Sequence, residues 1–286
     1  MPTATASIAL VTGANSGLGL LLTKRLLAEG WAVIALIRSD FPADDPQLRE
    51  ARQQRRLRVY HADLSDFASL RPALNDLKAQ ETAIDVLFNN AGISLGQLRD
   101  TAQGRDIHFE VNTLVPYILL EELLPLVEKG QRRLVVNTSS NGLLYVKAFD
   151  PPDLEHPRSF VKLTGPYSAS KLALSLWTQA LAPALAQQGI SILSVCPGPC
   201  KTPMTAGEGM PTWLRLLRHV FFASPATGAG RLYTAAREAT PGEAGVFLNK
   251  GKPMPLPFAK HQQAVLKKVQ LLYEQDYLEA SRPASV

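Results

Sequence analysis

The chain alternates short apolar segments with longer segments in which apolar residues recur at helical spacing. The apolar segments predict six strands: Ile8–Val11, Ala32–Ile37, Leu57–His61, Ile84–Phe88, Arg133–Thr138 and Ile190–Cys196. A polar helical stretch follows the second strand, and four further helices are predicted: Leu18–Glu29, Leu64–Gln80, Ile107–Lys129 and Ser168–Gln188. Apolar strands that alternate with helices are typical of an α/β fold, with a parallel sheet buried on both faces. No linker rich in Pro, Gly or Ser interrupts the alternation, so we predict one domain over residues 1–286.

The last third of the chain has a different pattern. Residues from about 203 to 225 combine large apolar side chains, such as Trp213 and Phe221, with glycines and prolines. This segment predicts either a packed helix pair or a mobile lid over a substrate. A C-terminal helical extension, about 258–286, places Val265 and other apolar residues on one face. Because its polar face carries acids as well as lysines, we expect it to dock on the protein rather than anchor in a membrane.

Composition narrows the class of protein. The 286 residues are 46% hydrophobic with a formal net charge of +5, and no segment approaches the roughly 18 apolar residues of a membrane span. The densest basic run, 52–58, has no interleaved aromatic residues, which argues against nucleic-acid binding. The two cysteines, Cys196 and Cys200, supply neither a disulfide framework nor a zinc site. The N-terminus lacks the basic region of a signal peptide, so we predict a soluble, cytoplasmic protein.

A glycine-rich turn joins the first strand to the first helix. Its sequence, TGANSGLG over Thr12–Gly19, lacks the Lys-Ser/Thr pair of a nucleoside-triphosphate loop. Backbone N–H groups at a helix N-terminus bind a pyrophosphate, because the helix dipole favours anions there. The same residues could form a tight turn without a ligand, so the motif alone leaves both interpretations open.

The end of the second strand discriminates between the two nicotinamide cofactors. An acidic residue there bonds the ribose 2′-hydroxyl of NAD, whereas an arginine accommodates the 2′-phosphate of NADP. Arg38 occupies this place and Ser39 follows it, while Asp40 lies two residues beyond Arg38. We therefore predict NADP(H) as the preferred cofactor over NAD(H). The alternative is an exposed arginine that merely ends a strand.

Tyr167 and Lys171 stand four residues apart, which places them about one turn apart on one helix face. A phenol with a pKa of about 10 is a poor acid or base at neutral pH. A neighbouring ammonium stabilises the phenolate and lowers that pKa, so the pair can act as a general acid/base. Because the spacing also arises by chance, it needs support from other motifs.

Further motifs occur in a fixed order along the chain. They are Asn89-Asn90-Ala91-Gly92 after the fourth strand, Asn112 in the middle helix, Ser139-Ser140 at the end of the fifth strand, and Pro197-Gly198 with Thr202 after the sixth. With the glycine turn and the Tyr–Lys pair, they resemble the short-chain dehydrogenase/reductase family from about Ile8 to Thr202. The resemblance implies a single Rossmann-type, doubly wound parallel sheet with helices on both faces. It also implies hydride transfer between NAD(P) and a carbonyl/alcohol pair.

The resemblance assigns roles to individual residues. The implied catalytic residues are Asn112, Ser140, Tyr167 and Lys171. The implied cofactor-binding residues are Gly13, Asn15, Ser16, Gly17, Leu18, Gly19, Arg38, Asp63, Leu64, Asn90, Ala91, Gly92, Tyr167, Lys171, Pro197, Gly198 and Thr202. Ser140 is preferred to Ser139 because the catalytic serine of the family is commonly the second of such a pair. In the implied mechanism Ser140 and Tyr167 bind the carbonyl, Tyr167 protonates the alkoxide, Lys171 lowers the tyrosine pKa, and Asn112 holds a water.

One stretch departs from the commonest members of the family. Ser140 and Tyr167 are 27 residues apart, and the added stretch is Tyr145–Thr164. This stretch, Arg38 and the extended tail are similar to the retinol dehydrogenase and WW-domain oxidoreductase branch, although the sequence has no WW domain. The apolar character of Tyr145 and of 149–160 and 204–222 predicts a bulky, hydrophobic small-molecule substrate.

The sequence also bears on alternative functions and on the oligomeric state. A non-catalytic NADP-binding sensor or scaffold of the same fold is the alternative to an enzyme. A serine hydrolase is disfavoured because the sequence lacks G-x-S-x-G, and a zinc dehydrogenase because its five histidines are scattered. The long helices Ile107–Lys129 and Ser168–Gln188 resemble those that pair across the family's usual dimer interface, so a homodimer is expected.

Overall fold

The structure, a computed structural model, describes residues 6–239 and 244–279, and within them eight strands form one sheet. The strands are β1 (Ile8–Thr12), β2 (Ala32–Ile37), β3 (Leu57–His61), β4 (Val86–Asn89), β5 (Leu134–Thr138), β6 (Ser191–Cys196), β7 (Ala244–Asn249) and β8 (Lys252–Pro253). Their order is β3-β2-β1-β4-β5-β6-β7-β8, and only β7 and β8 pair antiparallel. All six predicted strands and their parallel sheet are confirmed, and β7 and β8 extend it.

Helices connect the strands and cover both faces of the sheet. They are α1 (Gly17–Ala28), α2 (Pro46–Gln53), α3 (Phe67–Gln80), α4 (Ile107–Phe109), α5 (Val115–Glu128), α6 (Pro166–Gln187), α7 (Pro203–Ala206), α8 (Thr212–Phe221), α9 (Pro225–Glu238) and α10 (Gln262–Leu272). One apolar core lies between the sheet and α1 and α9, and a second lies between the sheet and α3, α5 and α6. This arrangement confirms the predicted doubly wound fold, and we infer one domain because a single sheet carries both cores.

Two helices begin two or more residues away from the starts that the sequence predicts. α3 begins at Phe67 rather than Leu64, because the Asp66 carboxylate caps it and accepts a hydrogen bond from the N–H of Ala68 at 2.8 Å. α6 begins at Pro166, whose missing N–H costs nothing in the first turn of a helix. Leu64 therefore lies in the loop after β3, and Tyr167 lies in the first turn of α6.

The predicted middle helix, Ile107–Lys129, is not continuous. Between α4 and α5 the chain forms a π-helical turn, Glu110–Leu114, with Pro116 directly after it in the first turn of α5. Pro116 cannot donate to the helical hydrogen-bond ladder, so the ladder changes register at this point. The wide turn carries Asn112, which is fully buried.

The C-terminal extension docks on the protein, as the sequence predicts. Val265 and Val269 of α10 are fully buried where it packs against α6. The ring of Tyr273 meets that of Tyr117 in α5 edge-on, with 6.0 Å between centroids. α10 thus packs on α6, and the π-helical turn after it meets α5. Residues 280–286, the end of the predicted extension, lie outside the described residues.

Candidate active site

The sequence-predicted site residues gather at the carboxyl edge of the sheet. The loops that follow β1 to β6 carry most of them. Gly17, Leu18 and Gly19 form the first turn of α1, and helical segments deliver Asn112, Tyr167 and Lys171 to the same edge. The strand order reverses between β1 and β4, where the connections leave to opposite sides. Ligands of doubly wound sheets bind at such a switch point, outside the carboxyl ends of the strands.

The glycine turn after β1 has the backbone of an anion cradle. Gly13 and Gly17 have φ values of +63° and +53°, in the left-handed region that side chains rarely adopt. Ser16, the residue before α1, forms no side-chain cap, so the first N–H groups of the helix receive no bond from its hydroxyl. Free N–H groups at a helix N-terminus favour a phosphate.

Position 19 requires glycine because other residues pack closely against its Cα, not because of its φ. A methyl group at this position would lie 2.2 Å from the carbonyl oxygen of Gly13 and 2.5 Å from Asn90 Nδ2. Gly19→Ala should therefore push the cradle apart, with about 1–3 kcal/mol of destabilisation and a loss of cofactor affinity of roughly tenfold or more. Fluorescence titration with NADPH measures the affinity.

The matched control for Gly19→Ala is Gly230→Ala in α9. A methyl group there meets only the Arg25 guanidinium, at 3.5 Å, which is an ordinary contact. We expect this variant to bind NADPH like wild type. Equal affinity in the two variants would contradict the cradle.

Thr12 connects the glycine turn to the loop after β4, and the sequence analysis assigned it no role. Its Oγ1 accepts hydrogen bonds from the N–H groups of Asn90 at 2.9 Å and Ala91 at 2.8 Å. Its carbonyl oxygen accepts a bond from Asn90 Nδ2 at 2.9 Å. Thr12 is the first residue of the motif TGANSGLG, so its position beside the glycines was the available signal.

Arg38 lies exposed at the end of β2, beside a carboxylate. Its guanidinium is 3.7 Å from Asp63 Oδ2, and 71% of its side chain is accessible. Burial alone would raise the pKa of Asp63, but hydrogen bonds from Ser65 and the charge of Arg38 lower it below its usual range. Asp63 therefore orients the arginine without covering it. Leu64, the next residue, is partly buried against the core.

Asn15 and Asp40 complete the corner around Arg38. Asn15 Nδ2 donates to the carbonyl oxygen of Ser39 at 2.6 Å and to its hydroxyl at 3.1 Å, which ties the glycine turn to the end of β2. The Asp40 carboxylate lies 3.4 Å from the Arg52 guanidinium and 3.6 Å from His61 Nε2. Asp40 thus pairs with Arg52 rather than with Arg38.

The two serines after β5 face different surroundings. Ser139 is buried, and its Oγ lies 2.8 Å from Ser175 Oγ within the body of the protein. Ser140 is half-buried, and its hydroxyl interacts with the phenol of Tyr167. Burial raises the pKa of Tyr167, and the hydrogen bond with Ser140 opposes that rise. Of the two serines, therefore, only Ser140 is partly exposed and interacts with Tyr167.

Asn112 and Lys171 converge behind Gly92. A methyl group on Gly92 would lie 3.1 Å from Asn112 Oδ1 and 3.3 Å from Lys171 Nζ. The Asn112 amide pairs with the backbone of Ile93 in both directions, at 2.8 and 2.9 Å. The Lys171 ammonium donates to the carbonyl oxygen of Thr138 at 2.9 Å. These contacts hold together the loop after β4, the π-helical turn and α6.

Burial of Lys171 has a consequence for stability. Desolvation lowers its pKa from 10.5 to about 7. Between these values the unfolded chain holds a proton that the folded one has lost, so folded stability rises with pH. Relative to Lys171→Met, the free energy of unfolding of wild type should rise by up to about 1.4 kcal/mol per pH unit between pH 7 and 10.5. Below pH 7 the difference between the two proteins should not change with pH. Urea unfolding at several pH values measures this difference, and a constant difference would contradict it.

The loop after β6 reaches the glycine turn from the other side. A methyl group on Gly17 would lie 3.8 Å from the side chain of Thr202. Thr202 caps α7 through a reciprocal pair of bonds with Thr205. Arg231 of α9 donates to the carbonyl oxygen of the buried Pro197 at 2.6 Å and packs close to Gly198. Arg231 is a second supporting residue that the sequence did not single out.

The described part of the chain holds no group of histidines, cysteines and acids arranged for a metal ion. Cys196 and Cys200 are free and buried. His108 is also buried, and its Nε2 accepts a bond from the N–H of Leu95 at 3.0 Å while Nδ1 faces Asp106. These contacts give His108 a structural role.

The chain is similar to known proteins along most of its length. A family model for short chain dehydrogenases matches residues 7–150 and 158–211, so the unmatched residues 151–157 fall within the added stretch before Tyr167. Retinol dehydrogenase 11 of Mus musculus is 32% identical over 235 residues, which cover 81% of this chain and 73% of that protein. Polyprenol dehydrogenase of Mus musculus is 29% identical over 277 residues, which cover 92% and 82%.

A solved structure agrees with the sequence relatives. The carbonyl reductase Sniffer of D. melanogaster superposes with a TM-score of 0.62 and 25% identity, covering 88% of this chain and 99% of that one. The matched family and the retinol dehydrogenases support an oxidoreductase that transfers hydride between a nicotinamide cofactor and a CH–OH or C=O group. The chain belongs to the short chain dehydrogenase family, in its retinol dehydrogenase branch.

Proposed function

We propose that the protein is an NADP(H)-dependent oxidoreductase that interconverts a bulky, hydrophobic carbonyl compound and its alcohol. The observation that carries this proposal is the pairing of Ser140 with Tyr167, one helical turn before a buried Lys171, at the carboxyl edge of the sheet. A non-catalytic sensor would need the nucleotide cradle but would have no use for this hydroxyl pair.

The residues at the sheet edge fit a dinucleotide. The left-handed Gly13 and Gly17, and a cradle that a methyl group on Gly19 would fill, leave room for a pyrophosphate against backbone N–H groups. Asn90, Ala91 and Gly92 would line the ribose next to the reactive ring, and Thr202 would hold the ring's carboxamide. When bound, NADP(H) would supply or accept the hydride.

The chain's own residues would handle the proton and the carbonyl oxygen. Ser140 and Tyr167 would donate hydrogen bonds to that oxygen, which gains negative charge in the transition state. Tyr167 would then release its proton to the alkoxide. An ammonium at Lys171 would stabilise the phenolate left behind, and Asn112 would hold the loop and a water next to that ammonium.

Arg38 is our basis for proposing NADP(H) over NAD(H). It is exposed, it pairs with Asp63 at only 3.7 Å, and Asp40 pairs with Arg52 instead, so the guanidinium would be accessible to a 2′-phosphate. Arg38→Ala should weaken NADPH binding by about 1.5–3 kcal/mol, or roughly ten- to a hundredfold, and leave NADH binding nearly unchanged. Parallel fluorescence titrations with both cofactors measure this effect.

The control for Arg38→Ala is Arg237→Ala, which removes an exposed arginine that also pairs with an acid, Glu238, at 3.3 Å. It should leave both affinities unchanged. If wild type binds NADPH and NADH equally, the assignment of NADP(H) is wrong.

A hydrophobic substrate is proposed from the rim of the site and from the relatives. Retinol and polyprenol, in the names of two relatives, are long apolar alcohols. Tyr145, which ends the short helical turn that begins after Ser140, is 63% exposed and so is accessible to a substrate. Phe149, which the sequence placed among the specificity residues, is instead buried and packs on Phe258, with 5.9 Å between ring centroids. Its role is to fasten the added stretch to the C-terminal extension.

The proposal extends to the cellular compartment and the oligomeric state of the protein. We propose a cytoplasmic location, supported by the two free, buried cysteines. A homodimer stays a prediction, with α5 and α6 as the helices that the family resemblance suggests for its interface. No helix in the described ranges is both long and apolar enough to cross a membrane.

A further inference from the structure

The C-terminal extension is linked by ion pairs to the turn that carries Asn112. After α10 the backbone forms a second π-helical turn, Tyr273–Leu278, which we call the C-terminal turn. Its Asp276 forms an ion pair with Nη1 of Arg105. The Nε of the same arginine donates to Glu110 Oε2 at 3.0 Å, and Asn112 stands two residues after Glu110. Two ion pairs in series therefore join the C-terminal turn to a predicted site residue.

The link lies mostly inside the protein. Arg105 is 5% exposed and Glu110 is fully buried, whereas 38% of the Asp276 side chain is accessible. Solvent and salt screen such a buried pair only weakly, and removal of one partner leaves a buried charge without compensation. Because Arg105 bridges two carboxylates from different parts of the chain, the position of Glu110 depends on Asp276.

The C-terminal turn is itself fixed to α3. Arg71 of that helix donates through Nη2 to the carbonyl oxygen of Asp276 at 3.0 Å, and its guanidinium lies 4.7 Å from the centroid of the Tyr277 ring. The ring of Tyr277 meets that of Phe67 edge-on, with 5.3 Å between centroids. These contacts hold the backbone of Asp276 in place, so its carboxylate is a fixed anchor for Arg105.

The turn Glu110–Leu114, which we call the active-site turn, depends on tertiary support. A π-helical turn is rare and inserts one extra residue into a helix. If it tightened by one residue, Asn112 would rotate by about 100° around the helix axis. Its amide would then lose its two hydrogen bonds to the backbone of Ile93. Glu110 begins this turn, so its pairing with Arg105 fixes the N-terminal end of the turn.

We propose that Asp276 is a positioning residue, which holds Asn112 in its place near the Lys171 ammonium through Arg105 and Glu110. It acts through the backbone of the active-site turn rather than by contact with a substrate. Its effect on turnover rests on the proposed function, whereas the link between the two turns can be measured without cofactor or substrate.

Hydrogen–deuterium exchange of the free protein measures the link directly. The N–H of Ile93 donates to Asn112 Oδ1 at 2.8 Å, so its protection reports the position of Asn112. In Asp276→Ala, peptides that cover residues 91–95 and 107–114 should exchange about tenfold faster, because the local opening costs less. Peptides from β5 and α9 should exchange as in wild type. Asp276→Glu, which keeps the carboxylate, should exchange like wild type throughout.

Steady-state kinetics measures the effect on the reaction. Asp276→Ala should lower kcat for carbonyl reduction about tenfold and leave KM nearly unchanged, because a displaced Asn112 alters the reacting geometry rather than substrate binding. Asp276→Glu should restore kcat. A wild-type protein that reduces no carbonyl would contradict the proposed function, whereas the exchange result would still decide whether the two turns are linked.

The matched control is Glu274→Ala, which removes an exposed carboxylate from the same C-terminal turn. It should leave both the exchange pattern and kcat as in wild type. Unchanged exchange of residues 91–95 in Asp276→Ala would overturn the proposal. So would faster exchange along the whole chain of that variant, or equal effects of Asp276→Ala and Glu274→Ala, because the carboxylate would then act on general stability or surface charge.

Discussion

Tyr167→Phe should lower kcat for carbonyl reduction by about 10²–10⁴, because it removes the proton donor while leaving the ring in place. The hydroxyl of Tyr167 interacts with Ser140, and Lys171 stands one helical turn further along α6. Loss of the hydroxyl deprives the developing alkoxide of its proton and of one hydrogen bond. Steady-state NADPH oxidation with a panel of aldehydes and ketones measures the effect.

Two controls separate catalysis from folding and from cofactor binding. Tyr233→Phe removes a phenol that hydrogen-bonds Glu29 between α9 and α1, away from the sheet edge, and should leave kcat unchanged. Tyr167→Phe itself should still bind NADPH in a fluorescence titration. A wild-type protein that binds NADPH but reduces no member of the panel would instead support the sensor or scaffold alternative.

Ser140→Ala should lower kcat by about 10²–10³, the usual effect of removing one donor to a developing oxyanion. Ser140 is half-buried beside Tyr167, and its Oγ also accepts a bond from the N–H of Gly142 at 3.1 Å, which fixes the side chain. The hydroxyl is thus preorganised to donate its proton towards a substrate.

The neighbouring serine provides a matched control. Ser139→Ala removes a buried hydroxyl that bonds Ser175, so it should cost about 1–3 kcal/mol of stability and leave kcat nearly unchanged. Thermal unfolding and NADPH oxidation on both variants distinguish the two roles. If Ser139→Ala lost the activity and Ser140→Ala kept it, the two assignments would have to be exchanged.

The strands and the motif positions could be predicted because each rests on local sequence. Buried parallel strands are continuous apolar runs, and the motifs follow those strands directly. Strand β7 was missed because a left-handed Gly245 and a register shift interrupt its pattern. The break of the middle helix at Glu110–Leu114 also escaped prediction, since Pro116 is compatible with an ordinary helix start.

Features that depend on tertiary packing could not be predicted from one sequence. The bonds of Thr12 to Asn90 and Ala91 join residues almost 80 positions apart. The packing of α10 on α6 depends on where the end of the chain returns, which the sequence pattern of the two helices does not specify. The apolar residues of 203–225 suggested either a lid or a packed pair, whereas the structure leaves the face of α8 exposed. A lid that orders on ligand binding stays a prediction.

Isotope transfer tests the central claim, that this site moves a hydride between nicotinamide and a carbonyl carbon. Wild type is incubated with NADPH deuterated at the transferable position of the nicotinamide, together with bulky hydrophobic aldehydes and ketones. Mass spectrometry of the products should find alcohols with deuterium on the former carbonyl carbon, and Tyr167→Phe should form them far more slowly. Alcohol that forms without deuterium, or NADPH binding with no reduction of any carbonyl, would contradict hydride transfer at this site.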